Sequence, residues 1–106
     1  MADFVLLYRG GSTPESEAEQ AAVMQEWTSW FGELGAAVKD GGNPFTEKAK
    51  SISSDGSVGD VSAQGIATGY SIIEADSQDT ALTLAKGCPV LRSGGEVHVY
   101  ETMPVM

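Results

Sequence analysis

A chain of 106 residues holds enough apolar material for one core and too little for two, and 42% hydrophobic with 20% charged residues is the composition of a folded domain. Fifteen acidic residues against six Lys plus Arg give a net charge of −9, which repels phosphate backbones and lipid headgroups and argues against nucleic-acid and membrane partners. The one cysteine, Cys88, excludes an internal disulfide, and the longest apolar run, Phe4 to Tyr8, is far too short to cross a bilayer, so a single cytoplasmic domain over residues 1–106 is expected.

Phe4 to Tyr8 is an unbroken apolar run closed by Arg9-Gly10-Gly11, the form of a strand covered on both faces. Ser12-Thr13-Pro14-Glu15 then supplies a cap, a proline suited to a first helical turn and acidic charge at the positive end of a helix dipole. The helix it predicts runs to about Leu34, with Val23, Trp27, Trp30 and Leu34 on one stripe, Met24 and Phe31 widening it, and Gly35 as the stop. Ala36 to Lys39 reads as a short strand, and Asp40-Gly41-Gly42-Asn43-Pro44 as a turn.

Lys48 to Ile52 and the residues around Val58 flank Ser54-Asp55-Gly56-Ser57, where Asp-Gly signals a two-residue hairpin turn. Gly59 to Thr68 is polar and reads as a loop, leading into the strand Gly69 to Ala75. Asp76-Ser77 caps a second helix that buries Ala81, Leu82, Leu84 and Ala85 and stops at Gly87 before Pro89. In the last strand, Glu96 to Met103, Val97, Val99 and Met103 point one way and His98, Tyr100 and Thr102 the other.

The order β-α-β, hairpin, β-α-β is that of a ferredoxin-like α+β fold with an inserted hairpin and both helices on one face of an antiparallel sheet. Two strands are nevertheless apolar on both faces, and a second face of roughly 300–600 Å² left wet is large for a monomer. A second copy packed sheet to sheet about a two-fold axis would cover it, so a homodimer is expected.

Gly69-Tyr70-Ser71-Ile72-Ile73-Glu74-Ala75-Asp76-Ser77, the helix entered through Asp79-Thr80-Ala81, then Gly87-Cys88-Pro89 and Gly94-Gly95-Glu96-Val97-His98-Val99 resemble the C-terminal half of YCII-related proteins, including their DGPF-type branch. The first half is similar more loosely, in its Leu-Leu-Tyr strand and its tryptophan-bearing helix. The resemblance implies a dimeric α/β barrel with a cavity between sheet and helices, and says little about chemistry. A histidine in the first helix, proposed for YCII proper together with a nearby aspartate, has no counterpart between Glu15 and Leu34. Where the DGPF tetrapeptide would lie stands Asp60-Val61-Ser62-Ala63, which keeps only the aspartate, and Asp40-Gly41 lies too early, before the hairpin.

His98, the sole imidazole, is the residue type that titrates near neutral pH and so the natural general-base candidate, although a lone histidine alternating with Val97 and Val99 on a strand is more often a packing residue. Asp40 and Asp60 are acid candidates whose glycine-rich surroundings also read as turn and loop. Trp27 and Trp30 suit either an aromatic ligand pocket or the core, and Tyr8 with Arg9 suits an anion at the end of the first strand. Cys88 follows a helix C-terminus, the wrong end to stabilise a thiolate. One His and one Cys make no metal cluster of the usual spacing, and the glycine pairs at 10–11, 41–42 and 94–95 match no phosphate-binding motif, so neither metal nor cofactor is expected. The reading is a homodimer binding a small molecule in a cavity bordered by Tyr8, Trp27, Trp30, Asp40 and His98. Its alternatives are a cofactor-free lyase, isomerase or monooxygenase-like enzyme, and a structural or regulatory interaction module.

Overall fold

The structure, a computed structural model, describes residues 1–11, 16–62 and 65–105. Strand β1 (Ala2–Arg9) alternates: Phe4, Leu6 and Tyr8 are buried, while Val5, Leu7 and Arg9 turn to the opposite face. Helix α1 (Glu17–Leu34) begins at Ser16, whose Oγ accepts from the Glu19 N–H, and ends at Gly35, whose N–H donates to the Phe31 carbonyl. The start expected at Ser12 to Glu15 lies outside the described residues. Only Trp30 and Leu34 of the expected stripe are fully buried; Trp27, Phe31 and Val23 are half-buried, and Met24 is 66% exposed. The first half of α1 therefore runs beyond the sheet it packs on.

A short 3-10 turn (Gly35–Ala37) precedes β2 (Val38–Asp40), two residues later than the expected strand because the helix end uses those residues to satisfy its last carbonyls. Strands β3 (Lys50–Ile52) and β4 (Val58–Asp60) form the inserted hairpin, separate from the main sheet. Its turn is wider than two residues: Gly56 N–H donates to Ser53 O, Gly56 takes φ +91°, and Ser53 and Ser57 pair across the opening. The loop is thus a type I turn closed by a left-handed glycine. Gly59 and Asp60 belong to β4 and not to the loop expected there.

Strand β5 (Gly69–Ala75) buries Ser71, Ile73 and Ala75 and leaves Tyr70, Ile72 and Glu74 on the other face. Helix α2 (Gln78–Ala85) is capped by Ser77, whose Oγ accepts from Thr80 N–H, and buries Ala81 and Ala85. Leu82 departs from expectation, being 42% exposed. A 3-10 segment (Pro89–Ser93) leads to β6 (Glu96–Glu101), which stops short of Met103, and Met103 is exposed instead of facing the core.

The main sheet has the order β2-β5-β1-β6 with antiparallel neighbours throughout, a ferredoxin-like arrangement. Phe4, Leu6, Tyr8 and Ile73 pack with Trp30, Leu34, Ala81 and Ala85 of the two helices in one core. The other face carries Val5, Leu7, Tyr70, Ile72, His98 and Tyr100, and no helix lies over it among the described residues. The molecule measures 44 × 41 × 19 Å, and 19 Å is the thickness of one sheet and one helix layer, not three layers. No helix of the described residues is long and apolar enough to cross a membrane.

Candidate functional site

Side-chain alternation sorts the candidate residues onto two faces. On the helix side, the hydroxyl of Tyr8 donates to Ser71 Oγ (2.7 Å), and Ser71 Oγ donates to the Gly41 carbonyl (2.6 Å). The chain of donors ends on a backbone oxygen, so it anchors the turn after β2 to the core and carries no proton to a base. Burial pushes the Tyr8 phenol well above its ordinary range, with the Ser71 hydrogen bond only partly opposing it, so Tyr8 stays a neutral donor.

Trp27 stands edge-on to Tyr8 with ring centres 5.1 Å apart, and the aromatic contacts continue from Trp27 to Trp30 (5.7 Å) and from Trp30 to Phe31 (5.1 Å). Trp30 is the buried member: its Nε1–H donates to the Leu84 carbonyl at 3.2 Å and its ring packs on Gly87, where a Cβ would approach to 3.1 Å. Trp27 keeps part of its surface open. Asp40, expected to border the same cavity, does not join them: a bulge in β2 sets it opposite Ile72 of β5, so its side chain falls on the open face of the sheet. Its carboxylate accepts from Gly42 N–H (2.8 Å), and Gly42 adopts φ +73° where a Cβ would overlap the Tyr70 carbonyl oxygen.

Arg9 and His98 occupy the opposite, open face. Arg9 Nη1 lies 3.5 Å from His98 Nε2 and 3.8 Å from Glu96 Oε1, and Arg9 Nε is buried without a hydrogen-bond partner. The sheet therefore separates His98 from Tyr8, Trp27 and Trp30, because residues 98 and 97 of an alternating strand cannot share a face. Asp60 is remote from both groups: it pairs with its cross-strand neighbour Lys50 at 2.6 Å on the exposed hairpin. Cys88 is buried, and burial raises its thiol to about 11. Among the described residues no group of three or more His, Cys, Asp or Glu side chains is placed to hold a metal ion.

Two surface hollows lie elsewhere. One of about 300 Å³ sits beside the hairpin against Phe45, Lys48, Val61 and Ile66. The other, about 370 Å³, runs between α2 and β6 against Leu82, Leu91, Val97 and Val99. The sequence reading passed over Ser71, the hinge of the helix-side network. Its signal was present in the period-two pattern, since Ser71 shares parity with Ile73 and Ala75 and must point inward with them.

No family model matches the chain, and no curated protein matches it. Among solved structures it is similar to a 5-chloro-2-hydroxyhydroquinone dehydrochlorinase, TftG, of Burkholderia phenoliruptrix AC1100, in complex with 2,5-dihydroxybenzoquinone. The two share 17% identity with a TM-score of 0.52, over 94% of this chain and 93% of that one. The likeness extends over nearly the whole of both chains and establishes a common fold.

Proposed function

We propose that the protein is a homodimer, packed through the open faces of its sheets, that binds a small planar molecule on the helix side of each sheet beside Tyr8 and Trp27. The observation that carries the ligand reading is the row of aromatic rings from Tyr8 through Trp27 to Phe31, next to the Asp40-Gly42 turn, with Trp27 only half-buried. Such a wall offers edge-to-face contacts to a flat ring. The dimer reading is supported by the thin two-layer shape and the uncovered Val5, Leu7, Tyr70 and Ile72. The fold shared with a protein crystallised with dihydroxybenzoquinone, and the resemblance to YCII-related proteins, point the same way.

Binding is favoured over catalysis because the Tyr8-Ser71 donors terminate on a backbone carbonyl and the only histidine is on the other face. One observation favours an interaction module as a second reading: the apolar groove between α2 and β6, where Leu82 and Leu91 are each about 40% exposed.

The two indole N–H resonances make the test direct. Titration of ¹⁵N-labelled protein with 2,5-dihydroxybenzoquinone is expected to shift the Trp27 indole signal saturably and the hydrogen-bonded Trp30 signal less, with Trp27→Phe assigning the peaks. A titration that moves neither signal up to millimolar ligand refutes a quinone-type ligand at this wall.

A further inference from the structure

We infer that the inserted hairpin is an arm that crosses the dimer and seats Ile52 and Val58 in the groove between α2 and β6 of the second copy. The two side chains stand opposite each other at the last paired position of β3 and β4, and they are 75% and 66% exposed. A two-stranded hairpin without a packed face is marginal in water. This one joins no other strand of the sheet, yet it is held in shape: Lys50 pairs with Asp60, and Asp55 accepts from both the N–H and the hydroxyl of Ser57. The radius of gyration is 15.2 Å, against about 13 Å for a compact chain of this length, so part of the chain stands away from the body.

The placement of arm and groove selects a second copy as the occupant. The base of the arm is fixed at the Gly69 end of β5, where Pro44 bridges to Gly69 and the Phe45 N–H donates to the Thr68 carbonyl. Tyr8 pairs with Gly69 on one side and with Val97 on the other, so the Val97 end of the groove lies at that same end of the sheet. The arm leaves the chain between β2 and β5, at one edge of the order β2-β5-β1-β6, and the groove borders the other edge. Within one chain the breadth of the sheet keeps them apart. A two-fold axis parallel to the strands, between two sheets packed through their open faces, sets the β2 edge of each sheet against the β6 edge of its partner and keeps the strand ends matched. Both arms then meet both grooves at once, in a closed isologous arrangement. Stacked sheets lie about 10 Å apart, and the arm from Lys50 to the turn at Asp55 spans roughly 20 Å at about 3.3 Å per residue, long enough to pass the edge of the facing sheet. Seated there, Ile52 and Val58 cover Leu82 and Leu91, which a lone chain leaves exposed.

The inference rests on the sheet-to-sheet dimer, and two measurements on the full chain separate the failure of one from the failure of the other. Sedimentation equilibrium of Ile52→Glu and of Leu91→Glu, both at exposed positions, is expected to give a dimer dissociation constant at least tenfold above that of the wild type, with an unchanged far-ultraviolet spectrum. The double variant Ile52→Cys/Leu91→Cys is expected on mild oxidation to form a covalent dimer that neither single variant forms, the native Cys88 being buried. A wild type that sediments as a monomer overturns the dimer and the arm together. A dimer that both glutamate variants leave at full strength, or a cysteine pair that closes only within one chain or not at all, overturns the arm and leaves the sheet packing standing. A dimer weakened by Leu91→Glu but not by Ile52→Glu gives the groove to another segment, such as the exposed Met103 and Val105 of the second copy, and also overturns the arm.

Discussion

The hydroxyl of Tyr8 and the hydroxyl of Ser71, 63 residues apart in the chain, meet at 2.7 Å between the two central strands, where neither side chain reaches water. Ser71 is the only buried polar side chain of the described core, and it serves both as acceptor for Tyr8 and as donor to Gly41. Replacing it by alanine leaves a buried phenol and a carbonyl without partners, a loss of about 1–3 kcal/mol. Tyr8→Phe removes the donor with less left unpaired and is expected to cost about 0.5–1.5 kcal/mol. Urea unfolding of both single variants and the double variant checks this: the double loss should fall short of the sum, and strict additivity would show that the two hydroxyls are uncoupled.

The two tryptophans differ in burial and so in consequence. Trp30 is 3% exposed, hydrogen-bonded to Leu84 and packed on Gly87, and truncation to alanine is expected to cost about 3–5 kcal/mol. Trp27→Phe should cost well under half as much, since part of that ring is already open. Acrylamide quenching of the single-tryptophan variants Trp27→Phe and Trp30→Phe reads the same difference, with the indole remaining in Trp30→Phe the more accessible. Equal quenching constants would contradict the assignment.

The apolar runs made β1 and β5 readable as strands but not which of their side chains face the helices, because a strand apolar on both faces gives Leu6 and Leu7 equal claim; the burial of Leu6 and Ile73 is set by register within the sheet. The helices were readable as helices but not in what they bury. Met24 and Leu82 lie on stripes of the right period and are still exposed, since a stripe is buried only where a partner layer extends beneath it, and that extent is a tertiary property. The candidate residues were gathered by type, and the sequence holds no record of distance between them. His98 and Tyr8 looked like neighbours on a common cavity until the register of β1 against β6 placed them on opposite faces. The unpartnered Nε of Arg9 could not be read from sequence at all, because it depends on where Glu96 and His98 stop short of it.

Cys88 gives the folded state a pH limit. Its thiol is raised from 9.0 to about 11 by burial, so the folded protein holds a proton that the unfolded chain releases from about pH 9 upward. The resulting stabilisation is complete below pH 9 and is lost as pH rises through 11, an effect on the order of 2–3 kcal/mol. Tyr8, shifted in the same direction, adds to the loss at still higher pH. Unfolding free energies measured from pH 8 to 11 should fall steadily, and more gently in Cys88→Ala at the upper end. Rapid labelling of the native thiol at pH 8 would show that Cys88 is not enclosed as described.

The covering of the open sheet face by a second copy is tested most directly by sedimentation equilibrium of the wild type beside Leu7→Glu and Leu6→Glu. Leu7 faces outward with Val5, within two residues of Arg9, so a glutamate there can remain solvated or pair with the guanidinium in a lone chain, while in a sheet-to-sheet dimer it would be an uncompensated buried charge. Leu6 is wholly enclosed beneath the helices, and a glutamate at that position should unfold the chain. The expected result is a wild-type dimer at micromolar concentration and a folded Leu7→Glu monomer, and a wild type that sediments as a monomer at the same concentration, with Leu7→Glu indistinguishable from it, would contradict the account.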